Sequence, residues 1–330
     1  MMRLDRRAFT LVELLVVTGL MAGLLGLVLT VGRPSGRSQV GQLLQGLSSS
    51  LISTQTRALG KEAGAALLLE PGTNGMLPHA CNAVLSADVR PFVTGTVSIG
   101  MPPANLGASS GTVALSSPEN ASNGDLQMGY RIRFSGSSPE MPTSPWFRFA
   151  CTGDPAVCTI SLRVEANQTV DNTIWPRAAA STVLRYEVAR YPQKAVPLVE
   201  PLKFAAIDLR YSGVGDTAAG SYASLANRGS IAVCFDRDGR LDAIMQYGPG
   251  PFPTVQPLTP TAPLYLLIAS VADIREDRSL QSTASRWLAI APSTGRLSIA
   301  ANIGVPGTTV ADIAAARANA RVGVTQGMGR

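Results

Sequence analysis

The sequence is poor in histidine, lysine, charge and aromatic side chains. Of 330 residues one is histidine, 5% are aromatic and 15% are charged, whereas 45% are apolar. The four cysteines form no CxxC pair, and His79 has no Cys/His partners at zinc-ligand spacing, so neither a metal nor a cofactor is predicted. The high apolar share excludes a charged disordered chain, and 32 glycines and 23 prolines predict many turns around a core.

Signatures of common enzyme classes are also missing. The chain has no Walker A loop, no Rossmann glycine pattern and no HExxH sequence. His79 has no evident nucleophile and acid arranged around it. The net charge is +6, yet nowhere do five like charges run together, so no basic strip for nucleic acid is visible. The sequence therefore predicts a protein that is not an enzyme and does not favour nucleic acid as a partner.

A long apolar run lies close to the N-terminus. From Phe9 to Gly32 the only charged residue is Glu13. A helix of this length spans roughly 36 Å, enough for a bilayer core of about 30 Å, and exceeds the apolar core of about 7–15 residues in a secretory signal. The run therefore predicts a membrane anchor. The arginines of the preceding leader place the N-terminus in the cytoplasm.

Glu13 does not fit a plain anchor. A carboxylate inside lipid costs roughly 2–3 kcal/mol on insertion scales, so such a charge usually has a partner. If the chain were cut before Phe9, the new amino group would lie one helical turn from Glu13, or near the Glu13 of a neighbouring subunit. The two charges would neutralise each other and set the axial register of one helix against the next.

The segment Arg6–Val17 resembles the class III signal of type IV pilins and type II secretion pseudopilins. The resemblance implies that prepilin peptidase cuts between Ala8 and Phe9, that Phe9 is N-methylated, and that Glu13 neutralises its amine during assembly. The family has glycine before the cut, where this chain has Ala8. The implied partners are prepilin peptidase, other pilin or pseudopilin subunits, the inner-membrane assembly platform and membrane lipid.

Small residues recur within the predicted membrane helix. Gly19 and Gly23 form a small-xxx-small pair, as do Ala22 and Gly26. Such pairs allow close helix packing. The alternative is flexibility, because glycine lowers helix stability.

The predicted fold class is α+β, with a long N-terminal helix, transmembrane and then amphipathic, packed on an antiparallel β-sheet domain with long loop insertions. Its expected parts are a prepilin leader (1–8), a transmembrane helix (9–32), an amphipathic helix (33–63), a periplasmic β-rich pilin-like domain (64–308) with an insertion at about 95–145, and a helical or disordered tail (309–330). Within the insertion one alternating strand is predicted at 127–134.

Two hairpins are predicted late in the chain. Apolar runs flank Asp236–Gly239, and Ser293–Gly295 is a second turn signal of the same kind. Their order is similar to the closing strands of the H-type minor pseudopilin domain. A calcium site at Asp236, Asp238 and Asp242 is the alternative to an ordinary turn, but the spacing of an EF-hand is absent.

The cysteines allow a disulfide if the domain is exported. Cys151 and Cys158 bracket a turn and are predicted to form a small disulfide loop, with two buried thiols as the alternative. Whether Cys81 and Cys234 form a second pair is left open.

The sequence thus predicts a minor pseudopilin or pilin-like structural subunit. It would sit in the bacterial inner membrane as a single-pass protein with a periplasmic C-terminal domain, or in a filament. The alternatives are a filament-associated binding module for adhesion or DNA uptake, and a membrane-anchored exported enzyme. The enzyme alternative predicts a concave site around His79 or the Asp236–Asp242 turn.

Overall fold

The computed structural model describes a short helical part near the N-terminus and the greater part of the chain from Gly36 onward. The described residues are 12, 15–22, 36–61, 63–71, 77, 79–88, 91–99, 110–119, 129–136, 144, 146–152, 157–164, 183–199, 203–215, 222–226, 230–247, 255–258 and 260–326.

Besides the helical stretch at 15–22, these residues form four helices and many strands. The helices are α1 (Gly36–Ala58), α2 (Val271–Arg275), α3 (Val310–Ala316) and α4 (Ala318–Gln326). The strands are β1 (Ala65–Pro71), β2 (Ala80–Asp88), β3 (Pro91–Ile99), β4 (Ser110–Glu119), β5 (Gly129–Gly136), β6 (Phe147–Thr152), β7 (Val157–Val164), β8 (Val183–Arg190), β9 (Gln193–Val199), β10 (Ala205–Val214), β11 (Ala223–Ser224), β12 (Ile231–Phe235), β13 (Leu241–Tyr247), β14 (Val255–Leu258), β15 (Leu264–Ser270), β16 (Arg286–Ile290) and β17 (Leu297–Ala301).

The strands form two sheets. The larger is an 11-stranded antiparallel sheet in the order β14-β13-β12-β1-β2-β10-β15-β16-β17, with β11 paired to β10 and β9 paired to β2. The smaller is a closed barrel in the order β3-β4-β7-β6-β5-β8. Because the chain leaves the large sheet after β2 and returns to it at β9, the barrel is an insertion between two strands of that sheet.

Helix α1 covers one face of the large sheet. Its apolar residues recur every three or four positions, so they form one face of the helix, and Leu43, Leu47 and Leu51 are fully buried on the sheet. Alternate residues of the central strands, such as Leu67 and Ile207, belong to the same cluster. This helix and the sheet beneath it form the main hydrophobic core.

The opposite face of the sheet is covered in three places. Near β1 and β12, a cluster that includes Met245 also contains Ala189 of barrel strand β8. Near β15 and β16, helices α3 and α4 cover Trp287. Helix α2 contributes Ile274 to a third, smaller cluster. The barrel and the C-terminal helices thus bury apolar residues that would otherwise face solvent.

The predicted fold class is wrong. The described chain is mostly antiparallel β, its helices are few, and no long apolar N-terminal helix is found among the described residues. None of the described helices is both long and apolar enough to span a membrane. The predicted insertion at about 95–145 is not a decorated loop with one strand, because β3, β4 and β5 pass through it as three members of the barrel.

Several strand predictions are confirmed. The strand predicted at 127–134 is found as β5, and both hairpins are found, as β12–β13 and β16–β17. The tail contains the two short helices α3 and α4. Helix α3 begins with a capping box in which Thr309 and Asp312 each accept a backbone N–H of the other.

Candidate functional site

The described part of the predicted membrane segment is an apolar helical stretch that no other described part of the chain covers. Val12 and every described residue in the stretch 15–22 are exposed. Leu15, Leu20 and Met21 each keep more than half of their surface accessible, at 66%, 64% and 61%. Apolar side chains exposed together in this way normally mark a surface that contacts lipid or another protein.

Two of the predicted packing residues lie in this stretch. Gly19 and Ala22 are both exposed, and a Cβ placed on Gly19 would meet no atom within 4 Å. The described chain therefore leaves the proposed small-residue surface open, and the packing prediction stays a prediction. The other predicted residues of the segment, Ala8, Phe9, Glu13, Gly23 and Gly26, lie outside the described residues.

The outward face of α1 is polar without being charged. The helix carries no charged residue between Ser38 and Thr56. Its exposed positions are occupied mainly by glycine, glutamine, serine and threonine, with Ile52 also 53% exposed. Packing such a face against another polypeptide requires no charge to be desolvated, which removes the largest cost of burying a helix surface.

The predicted cysteine pairs have different outcomes. Cys81 and Cys234 are buried and form no disulfide, and they belong to clusters on opposite faces of the large sheet, with β1 between their strands. Burial, reinforced by Glu70, raises the pKa of the Cys81 thiol to about 12, so it stays protonated and unreactive. Cys151 pairs with Ile160 in the β6–β7 hairpin, and its disulfide with Cys158 stays a prediction.

At the C-terminal end of α1, the helix and the two predicted hairpin turns meet. The Gln55 side-chain amide donates to the carbonyl of Gly239 at 2.8 Å and to the carbonyl of Thr294 at 3.2 Å. The Gly60 N–H donates to the Arg237 carbonyl at 3.0 Å. We call this junction the α1-end junction. It joins three segments that are far apart in sequence.

The acidic residues near this junction are engaged within the protein. The Asp236 carboxylate accepts the N–H groups of Asp238 and Arg240, at 2.9 and 2.8 Å, and so closes its own turn. Asp242 pairs with Arg131 of barrel strand β5. Within the described residues no three His, Cys, Asp or Glu side chains are grouped to hold a metal ion.

Two glycines allow a matched test of the α1-end junction. Gly295 has φ +65° and Gly60 has φ +75°, so alanine is strained at both positions. A Cβ on Gly295 would overlap the Gly239 carbonyl oxygen, whereas one on Gly60 meets nothing within 4 Å. We expect Gly295→Ala to lower the free energy of unfolding by about 1–3 kcal/mol more than Gly60→Ala, in denaturant unfolding monitored by circular dichroism. If both variants lost the same free energy of unfolding, the contact between the two turns would contribute nothing to stability.

A buried polar cluster lies on the other face of the large sheet. Asp208 in β10 is fully buried, and its carboxylate accepts from Arg210 Nη2 at 2.8 Å and from Ser279 Oγ at 2.7 Å. Arg210 also pairs with Asp277 at 2.7 Å, and Tyr211 Oη donates to Asp277 at 2.5 Å. We call these five residues the Asp208 cluster. Sequence reasoning missed it, although an aspartate inside the apolar strand β10 is a signal of a buried polar contact.

The Asp208 cluster fixes the loop after α2 onto β10. Arg210 also donates to the Ile274 carbonyl at 2.7 Å, which ties the guanidinium to the end of the helix. Burial and the Asp277 carboxylate raise the pKa of Tyr211, so its hydroxyl stays protonated and donates a hydrogen bond to Asp277. Because the carboxylates accept hydrogen bonds from donors inside the cluster, the cluster is typical of a structural contact and not of a reactive site.

A second missed cluster docks the C-terminal helices. Arg317, at the end of α3, is 2% exposed, and its guanidinium lies 4.5 Å from the ring centre of Tyr265 and 5.0 Å from that of Tyr222. Burial raises the pKa of Tyr222 to about 12, although the positive charge of Arg317 opposes that shift. The two rings hold the Arg317 guanidinium through cation–π contacts.

His79, the focus of the enzyme alternative, lies just before β2 and is half-buried. Its carbonyl accepts the Leu209 N–H at 2.9 Å and so extends the contact between β2 and β10.

The sequence matches no protein-family model, and neither a curated protein nor a solved structure is significantly similar to this chain.

Proposed function

We propose that this chain is a pilin-like structural subunit, a minor pseudopilin or minor pilin. Prepilin peptidase would process it, and it would assemble through its N-terminal segment into a type II secretion or type IV pilus filament. The observation that carries the proposal is the exposed apolar stretch at 15–22, which no other described part of the chain covers. Removing apolar surface from water is favourable, and in the proposed filament lipid and neighbouring subunits would enclose this stretch.

Glu13 supplies the second support. It lies in the sequence between a basic leader and this apolar stretch, four residues after Phe9. An acid at that place is costly in lipid unless a positive charge meets it, and cleavage before Phe9 would create that charge. The proposed location is the bacterial inner membrane, with the leader in the cytoplasm and the β-rich part in the periplasm.

The uncharged outward face of α1 supports subunit packing beyond the membrane. Gln42 and Gln45 are exposed there, and neither carries a charge that contact with another subunit would have to desolvate. The exported-enzyme alternative has no comparable support, because Asp208 and Asp236 accept hydrogen bonds from their own surroundings. One observation favours the binding-module alternative. Exposed basic side chains, among them Arg57, Arg237 and Arg296, lie around the α1-end junction.

Processing is tested by co-expression with a prepilin peptidase and mass spectrometry of the N-terminus. We expect loss of residues 1–8 and an N-methylated Phe9. Ala8→Gly, which restores the residue that the resemblance leads us to expect, should be processed faster because glycine is smaller at the cleavage site. A protein that retains Met1 in both the wild type and Ala8→Gly would contradict the proposal.

Assembly is tested by replacing Glu13 in the same cells. We expect Glu13→Ala to be cleaved normally but to lose cross-linked multimers from the membrane fraction by about tenfold or more, because the amine of a neighbouring subunit stays uncompensated in lipid. Glu13→Asp keeps the charge and should retain most of the multimer. Equal cross-linking of wild type and Glu13→Ala would show that the acid has no part in assembly.

A further inference from the structure

Five exposed cations surround the α1-end junction. Two come from the end of α1, two from the β12–β13 turn and one from the β16–β17 turn; they are Arg57, Lys61, Arg237, Arg240 and Arg296. No run of like charges in the sequence reveals this group, since the three segments lie up to about 240 residues apart.

Backbone contacts hold these cations at one place. Arg237 accepts through its carbonyl from Gly60, the residue before Lys61. Gln55, two residues before Arg57, donates to the Gly239 carbonyl beside Arg240. The space for a Cβ on Gly295, the neighbour of Arg296, is filled by the Gly239 carbonyl. The five positive charges are therefore fixed together by contacts that do not depend on their own side chains.

Acidic side chains compensate for only part of this charge. Asp236 is bound to its own turn, and Asp238 faces Arg237 at 3.9 Å, a distance that makes a weak, exposed ion pair. A third described carboxylate near the junction, that of Asp242, pairs with Arg131 of the barrel, so three carboxylates stand against the five cations. Glu62, which follows Lys61 in the sequence, lies outside the described residues, and counting it would still leave an excess of positive charge.

A structural role explains only part of the group. Arg57 and Lys61 lie at the C-terminal end of α1, where cations are favourable to the helix dipole. Arg237, Arg240 and Arg296 lie on turns that meet this end of α1, so the dipole favours them too, but by only about 0.3–1 kcal/mol each at an exposed site. Five cations at one exposed place therefore form a surface suited to a negatively charged partner.

The surface also contains an exposed apolar side chain. Leu59 is 54% exposed and lies against the β12–β13 turn, where its Cδ2 would be 3.2 Å from a Cβ on Gly239. An apolar side chain among arginines is typical of protein interfaces, in which arginine is enriched. A nucleic-acid backbone offers no apolar contact, and its phosphates would approach the Asp238 carboxylate.

We propose that Leu59 and the five cations form a docking surface for a carboxylate-rich segment of a partner protein that also carries an apolar side chain. The carboxylates would pair with Arg237, Arg240 and Arg296, and the apolar side chain would pack on Leu59. This surface goes beyond the proposed subunit role, and it does not depend on cleavage or on Glu13.

The test uses the full chain in non-ionic detergent and fluorescence anisotropy. The probe is a labelled peptide that contains only Glu and Leu; a Gln/Leu peptide and a Glu/Ser peptide are its controls for charge and for apolar contact. We expect the Glu/Leu peptide to bind most tightly and to weaken as salt is raised. Arg237→Glu with Arg240→Glu should reduce that affinity about tenfold or more, and Leu59→Ser should bring it down to that of the Glu/Ser peptide.

A charge-matched variant makes the result specific. Arg185→Glu with Arg275→Glu changes the net charge equally at exposed sites away from the junction, and it should bind the peptide as the wild type does. Circular dichroism checks that both double variants are folded. The proposal is overturned if both double variants lose affinity equally, if neither does, or if duplex DNA of mixed sequence binds more tightly than the peptide.

Discussion

Replacing Asp208 with alanine is expected to lower the free energy of unfolding by about 3–5 kcal/mol. The carboxylate is fully buried and accepts from Arg210 and Ser279. Its removal leaves the Arg210 guanidinium with one fewer anion and removes the hydrogen bond from Ser279 to β10, while the contacts of Arg210 and Tyr211 with Asp277 remain. Chemical unfolding followed by tryptophan fluorescence measures the loss.

Two further variants separate this effect from a general effect of charge. Glu276 pairs with Arg278 at the surface, where both side chains are more than half exposed, so Glu276→Ala should cost at most about 1 kcal/mol. Asp208→Ala combined with Arg210→Met removes the buried carboxylate together with its partly buried partner cation and should recover part of the stability lost in Asp208→Ala. A loss below about 1 kcal/mol for Asp208→Ala would show that water replaces the carboxylate.

The Asp208 cluster shows why a polar site is hard to predict from sequence. Asp208 is visible as a charge inside an apolar strand, but its partner Ser279, and the Asp277 that pairs with Arg210, lie about 70 residues further on. Only the pairing of β10 with β15 brings the loop after α2 to the strand. Local patterning reveals that a partner is needed, whereas the tertiary fold decides which residue supplies it.

Elements that have a clear local sequence pattern could be predicted. Helix α1 follows from leucines every three or four residues, and the β12–β13 hairpin follows from two apolar runs around a turn at Asp236–Gly239. The barrel was not predictable in this way. Strand β4 is rich in serine and has few large apolar residues, so it gives little local signal, and its place depends on pairing with β3 and β7.

The mistaken fold class has a related cause. The long-helix expectation came from the apolar run at 9–32 and from a resemblance confined to about the first tenth of the chain, and neither says anything about an insertion between β2 and β9. The basic surface was missed for a similar reason, because Arg57, Arg240 and Arg296 are brought together only by Gln55 and the two turns. Clusters made by long-range contacts leave no pattern in a linear charge count.

The second large effect is expected at the interface between α1 and the sheet. Leu47 is fully buried in the core cluster, so Leu47→Ala should lower the free energy of unfolding by about 2–5 kcal/mol through lost burial and the cavity left behind. Gln45 lies on the exposed face of the same helix, and Gln45→Ala should change stability by less than about 0.5 kcal/mol.

Hydrogen exchange then distinguishes local from global loosening. If α1 separates from the sheet as a unit, Leu47→Ala should speed exchange of the α1 amides while the β15 and β16 amides keep most of their protection. If helix and sheet unfold together, both sets should lose protection by the same free energy. In either case Leu47→Ala must be less stable than Gln45→Ala. Identical unfolding curves for the two variants would mean that the leucine face of α1 does not hold the helix on the sheet. Because a subunit pulled through its N-terminal segment would transmit force along α1, this interface is where the proposed filament role and the stability of the domain meet.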